Sequence, residues 1–165
     1  MRYMFILLCC LPLTLLAQKD EVFAKFINED GTIIKGSSVI KLYERQLPLN
    51  AVESNASTNS TVVKFTMNRE PATDILRNMM LTGKKIRSGE IAVTYISYDR
   101  RLVRYKISME NIEVAEVSEV NGSITIQLKA VRIGWTNYSY TKSGIQSISS
   151  KSGWDAERRS SWTAF

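Results

Sequence analysis

Leu102–Ile112, LVRYKISMENI, alternates without a break. Val103, Tyr105, Ile107 and Met109 fall on one side of an extended chain, and Arg104, Lys106, Ser108 and Glu110 on the other. Successive strand side chains point to opposite faces, so this stretch predicts a β-strand with one face buried and the other wet. Ile112–Val120 carries the pattern on out of phase, with Ile112 and Val114 and then Val117; a β-bulge absorbs such a slip. Asn121-Gly122 is a type I′ hairpin signal. Ile124–Trp135 then runs back, its apolar phase moving from Ile124, Ile126 and Leu128 to Val131, Ile133 and Trp135. A strand of that length has to bend or be covered on both faces.

Upstream, Asp99-Arg100-Arg101 turns the chain and Ile91–Tyr98 reads as the preceding strand. Before it, the period changes from two to 3.6. Pro71 suits a first helical turn, Asp74 complements the helix dipole, and Gly83 suits the position past the end. Ile75, Leu76, Met79 and Met80 share one side, so Pro71–Thr82 is predicted to be an amphipathic helix packed through those four residues. Thr61–Met67 alternates again, with Val63, Phe65 and Met67 on one face. Val22–Ile27 ends at an Asp30-Gly31 turn signal, with Thr32–Lys35 continuing briefly beyond it. Ser38–Leu47 is expected to be extended and to stop at Pro48. Asn50–Ser60, NAVESNASTNS, is small and polar and is expected to be a long loop. Ser139–Ser152, rich in Ser and Lys, is expected to be a loop or hairpin tip.

These elements amount to seven or eight strands, one helix and frequent short turns. The predicted fold class is mainly β, a barrel or sandwich of two curved sheets with one flanking α-helix. The chain has 165 residues, 44% of them apolar and 23% charged, which suits one globular domain without repeats or linkers.

The first residues, MRYMFILLCCLPLTLLA, carry Arg2, an apolar run from Met4 to Leu16 and a small residue at Ala17. That is the layout of a secretory signal peptide, predicting cleavage before Gln18 and a single domain over 18–165. The run is too short to span a membrane as a helix. Export to the periplasm or beyond, in a Gram-negative bacterium, is the expected localisation.

Histidine is absent, and the two cysteines, Cys9 and Cys10, lie inside the leader. The commonest general base, the commonest metal ligand and any mature thiol are thereby removed. No catalytic, cofactor or metal residue is assigned, and no cofactor is expected. There is no Gly-rich phosphate loop or calcium loop, and the carboxylates do not pair on any local element. The net charge of +6 is scattered over short clusters such as Arg100-Arg101 and Arg158-Arg159 rather than gathered into a stripe, so no nucleic-acid partner is expected.

Four stretches carry a resemblance. KFTMNREPATDILRNMMLTGKKI (64–86), RYKISMENIEVAEV (104–117), SITIQLKAVRIGWTNY (123–138) and KSGWDAERRSSW (151–162) resemble, in order and spacing, the Hcp family, the tube proteins of bacterial type VI secretion. The resemblance implies a curved β-barrel with a helix on its side. It also implies a non-enzymatic homohexameric ring able to stack into a tube, with effector cargo or a spike protein as partners. A cleavable leader departs from that family's pattern. The polar segment after Pro48 corresponds to the family loop that reaches to adjacent subunits, which makes Leu47, Leu49, Asn50, Val52, Glu53 and Asn55 the candidate subunit-interface residues. The two leucines are expected to supply the apolar burial. Two further readings stay open: a monomeric exported β-barrel binding a small ligand or surface partner, and an enzyme with a carboxylate pair assembled from distant parts of the chain.

Overall fold

The computed structural model describes residues 20–57 and 60–165. The expected leader and its cleavage point lie outside the described residues. The elements run β1 (Glu21–Asn28), β2 (Ile33–Ile34), β3 (Leu47–Leu49), β4 (Ala51–Ser57), β5 (Ser60–Asn68), α1 (Pro71–Thr82), β6 (Ile86–Ser97), β7 (Arg100–Val120), β8 (Ser123–Tyr140), β9 (Gln146–Asp155) and β10 (Ser160–Ser161). Every pairing is antiparallel. The fold is mainly β, as the alternation predicts.

The long strands β7 and β8 form the spine. β7 pairs with β6 on one side and β8 on the other. β8 serves two neighbours in turn along its far edge: β5 against 123–129, then β9 against 132–140. This change of partner occurs where the apolar phase of Ile124–Trp135 shifts. The predicted bulge falls between Val114 and Glu116. The Asn121-Gly122 turn has φ of 51° and 77°, the paired positive values of a type I′ hairpin. The β6–β7 turn is formed by Tyr98 and Asp99, also at positive φ (49° and 60°), one to two residues before the position the sequence suggested.

The sheet closes through one segment of chain. β3 pairs with β1, and after Asn50 the same segment continues as β4 and pairs with β5. Going round, β1, β6, β7, β8, β5 and the β3–β4 segment form a barrel. Its interior holds Phe26, Leu47, Val63, Phe65, Met67, Ile91, Ile107, Met109, Ile124, Ile126 and Leu128, all essentially without exposed surface. The Phe26 and Phe65 rings stack with centroids 6.1 Å apart.

Helix α1 has the predicted bounds, with Pro71 at its first position and Gly83 at φ 68° beyond its end. Its first turn is closed when Glu70 N–H donates to Thr73 Oγ1 (3.3 Å). The buried face is Ala72, Thr73, Leu76 and Met79, with Met80 packed at its margin. Ile75, expected on that face, is instead 43% exposed. The buried face is centred on Leu76, so the small side chains of Ala72 and Thr73, rather than Ile75, complete it and let the helix approach closely.

Three other expectations are corrected. Ser38–Leu47 is not one extended run: only Leu47 joins a strand, and 38–46 is a loop folded on itself, with Gly36 N–H donating to Arg45 O (2.8 Å), Ser38 N–H to Gln46 O (3.1 Å) and Arg45 N–H to Ser38 O (2.8 Å). Pro48 does not stop a strand but sits within β3, opposite Phe23. Asn50–Ser60 is not a loop: Ala51–Ser57 is strand β4, in register with β5 from Ala51 opposite Thr66 to Ser57 opposite Ser60. Ser139–Ser152 is likewise mostly strand, with its turn confined to 141–145.

β9 is fastened by charge. Arg132 on β8 donates from Nε to Asp155 Oδ2 and from Nη1 to Glu110 Oε2, both at 2.8 Å. Asp155 is itself buried and also accepts from Arg158 N–H (2.9 Å). That backbone hydrogen bond, followed by Arg132, holds the Asp155 carboxyl below the usual carboxylate range.

Candidate assembly surface

Among the described residues, two strands of this barrel, β4 and β9, have an edge that is largely without a partner strand. Among the described residues β4 pairs only with β5, leaving its outer edge open over 51–56. β9 pairs with β8; β10 covers it at Trp154 and Asp155, and Trp162 N–H donates to Gly153 O (3.0 Å), so its outer edge is open over 146–152. Both strands are exposed on nearly every residue. Each is poor in charge along its open stretch, with Glu53 on β4 and Lys151 on β9 (Asp155 lies at the covered end), and neither contains proline. Soluble proteins usually blunt a strand edge with charge, proline or cover. These two lack most of that protection and present rows of backbone donors and acceptors.

The candidate residues divide. Leu47 and Leu49 have 0% and 7% exposure and lie in the core beside β1, so their apolar surface is already covered by their own chain. Asn50, Glu53 and Asn55 are exposed and Val52 half-buried, on or beside the open edge. Asn50 is tied to Asn68 through its side-chain amide (3.0 Å), and Ser54 Oγ accepts from Trp135 Nε1 (3.0 Å), which holds β4 against β8.

The large exposed apolar side chains on the loop before β3 belong to residues not singled out from the sequence. Val39 and Leu42, on the loop before β3, are 87% and 76% exposed. Leu42 has φ 75° and Arg45 φ 59°. The left-handed backbone at these two non-glycine residues is costly and persists only because the loop's own hydrogen bonds hold it. Tyr43 between them stacks on Phe23 at 4.5 Å and anchors the loop to the barrel. On the second edge, Ile148 is 60% exposed. The signal available in the sequence was the apolar run VIKLYERQL itself, whose residues cannot all be buried in one short strand.

Among the described residues no group of three or more Asp, Glu, Cys or His is placed to hold a metal, and no helix is long and apolar enough to cross a membrane.

Several solved structures of Hcp and type VI secretion proteins are similar in shape. Hcp1 from Salmonella typhimurium superposes with a TM-score of 0.70 at 17% identity, over 87% of this chain and 99% of that one. The fold is that of the Hcp proteins. A structure described as a type six secretion system protein reaches a TM-score of 0.74 at 12% identity, over 87% of this chain and all of that one. Hcp3 from Pseudomonas aeruginosa, described as a secreted protein, matches at 0.63 and 13% identity, over 79% of this chain and 97% of that one. No family model matches the sequence, and no curated protein matches it. The Hcp likeness inferred from four short stretches is therefore carried by shape, at identities too low for more than the fold.

Proposed function

We propose that this chain is a non-enzymatic, self-assembling subunit of an Hcp-like ring, exported after cleavage of its leader. The observation that carries the reading is the pair of unprotected edges, one on β9 and one on β4 beyond β5, both built out from the same edge of β8. An edge of one kind meeting an edge of another kind is a heterologous contact, and such contacts generate rings when the rotation closes. Main-chain hydrogen bonds between β4 of one copy and β9 of the next would satisfy both rows of orphan groups. Glu53 and Lys151 supply opposite charges to the two edges. The Hcp-like shape supports six subunits per ring, with a stack of rings, effector cargo in the channel or a spike protein at its end as the further partners.

Val39 and Leu42 supply the apolar part of a subunit or ring-to-ring contact, in place of the core leucines. Size-exclusion with multi-angle scattering and negative-stain imaging test the reading. The wild type should run as a ring. Asn55→Lys with Ile148→Lys should weaken the ring by charging both edges, and Val39→Ser with Leu42→Ser should weaken assembly or stacking. Both variants should melt with the same cooperativity as the wild-type subunit. A wild type that stays monomeric at high concentration overturns the proposal and favours a monomeric binding module.

A further inference from the structure

The β6–β7 and β8–β9 turns lie side by side and enclose a cleft of about 750 Å³. Pockets for small ligands generally fall between roughly 300 and 1,000 Å³. Its lining includes Tyr95, Tyr98, Arg100, Leu102, Tyr140 and Lys142, together with several small hydroxyl-bearing side chains and no carboxylate. Tyr95 and Leu102 face each other across β6 and β7. Tyr140 is locked: its hydroxyl accepts from Val103 N–H (2.9 Å) and donates to Val103 O (3.0 Å), which holds the ring as a fixed wall. Tyr95 carries the Arg104 guanidinium 5.0 Å from its ring centre, and Arg104 is itself paired with Asp20 at 2.9 Å. Arg100 and Lys142, by contrast, have no ion-pair partner among the described residues. Tyr98, held at positive φ in the turn, is 98% exposed.

We propose that this cleft binds a short acidic saccharide, with sugar rings against the tyrosine faces and a carboxylate held by Arg100 and Lys142. Pyranose rings present C–H faces that suit a flat aromatic wall and hydroxyls that suit a polar rim. The two unpaired cations select an anion, and an arginine fork matches a carboxylate in two parallel hydrogen bonds. A polynucleotide would need a longer track of phosphate partners than two cations offer. The proposal does not rest on ring formation. Both turns belong to one subunit, so each copy carries a complete site, and a ring would add avidity.

The test is isothermal titration of the full chain with trigalacturonate, maltotriose and hexathymidylate. Amide NMR follows residues 97–100 and 141–144. Trigalacturonate should bind and shift those amides, and added salt should weaken it. Maltotriose should bind about tenfold more weakly or not at all, and Arg100→Gln with Lys142→Gln should lower trigalacturonate affinity by about tenfold. Tyr98→Ala should lower it severalfold without changing the melting curve, since that side chain packs on nothing in the fold. Absence of trigalacturonate binding, equal affinity for maltotriose, or affinity unchanged in the double variant overturns the proposal. Tighter binding of hexathymidylate overturns it in favour of single-stranded nucleic acid. None of these outcomes bears on the mass of the assembly, so this proposal and the ring reading fail separately.

Discussion

Gly134 on β8 and Gly153 on β9 are direct partners in the sheet. Above them lies the Phe165 ring. A Cβ built on either glycine falls inside van der Waals contact of that ring, below 3.0 Å. Phe165 also packs against the buried Trp162, the ring centres 4.6 Å apart and the planes tilted by 42°, and is capped by the Lys151 ammonium 4.4 Å from its centre; Lys151 in addition donates to the Phe165 carbonyl. The paired glycines therefore act as a slot, and Gly134→Ala should expel the ring. Full burial of a phenylalanine contributes about 1.5–3 kcal/mol, so a partly buried one contributes roughly 1–1.5 kcal/mol. Gly134→Ala and Phe165→Ala should each cost about that much. The double variant should cost no more than one of them, a coupling of about 1–1.5 kcal/mol. It should match Gly134→Ala and fall somewhat below Phe165→Ala, because alanine is favoured over glycine within a strand by about 0.5–1 kcal/mol in both variants that carry it. Urea unfolding followed by tryptophan fluorescence measures all four proteins. Costs that add to within about 0.5 kcal/mol would show that the ring does not occupy the slot.

Leu76→Ala should cost about 2–5 kcal/mol, because the side chain is wholly buried beneath α1. Ile75→Ala, on the exposed side, should stay within about 0.5 kcal/mol; equal costs in a denaturant titration would refute the observed helix face. Gly122→Ala should destabilise by roughly 1 kcal/mol, since φ 77° opposes any Cβ, and an unchanged midpoint would mean that the turn is not type I′. Asp155 is ionised more readily in the fold than in the unfolded chain, where an aspartate titrates near about 3.9. Its contribution is therefore present above about pH 4 and lost as pH falls through the lower folded value. The melting advantage of wild type over Asp155→Asn should shrink below about pH 4, and a pH-independent difference would refute the role given to its charge.

What the sequence determined was whatever one buried face imposes on a local pattern. β7 was legible because Ile107 and Met109 face the core while Arg104 and Glu110 do not, and a period of two survives only where one face is buried. Helix α1 was legible because Pro71 and Gly83 bracket it chemically. The bulge near Glu116 and the Asn121-Gly122 turn were legible for the same local reasons. β4 and β9 left no such trace. Both of their faces meet solvent, so no alternation was required of them, and a polar Ser-Asn sequence forms a strand only because β5 and β8 supply the hydrogen bonds. The converse error has the same origin: VIKLYERQL is apolar enough for a strand, yet with β2 already paired to β1 at Phe26 and Ile27 only the short β3 fits beside it on that edge, and the remainder folds on itself. The candidate assembly surface lay in these two blind regions. Leu47 and Leu49 could not be told from Val39 and Leu42 by composition; only closure of the barrel through β3 decided which pair is buried and which is exposed.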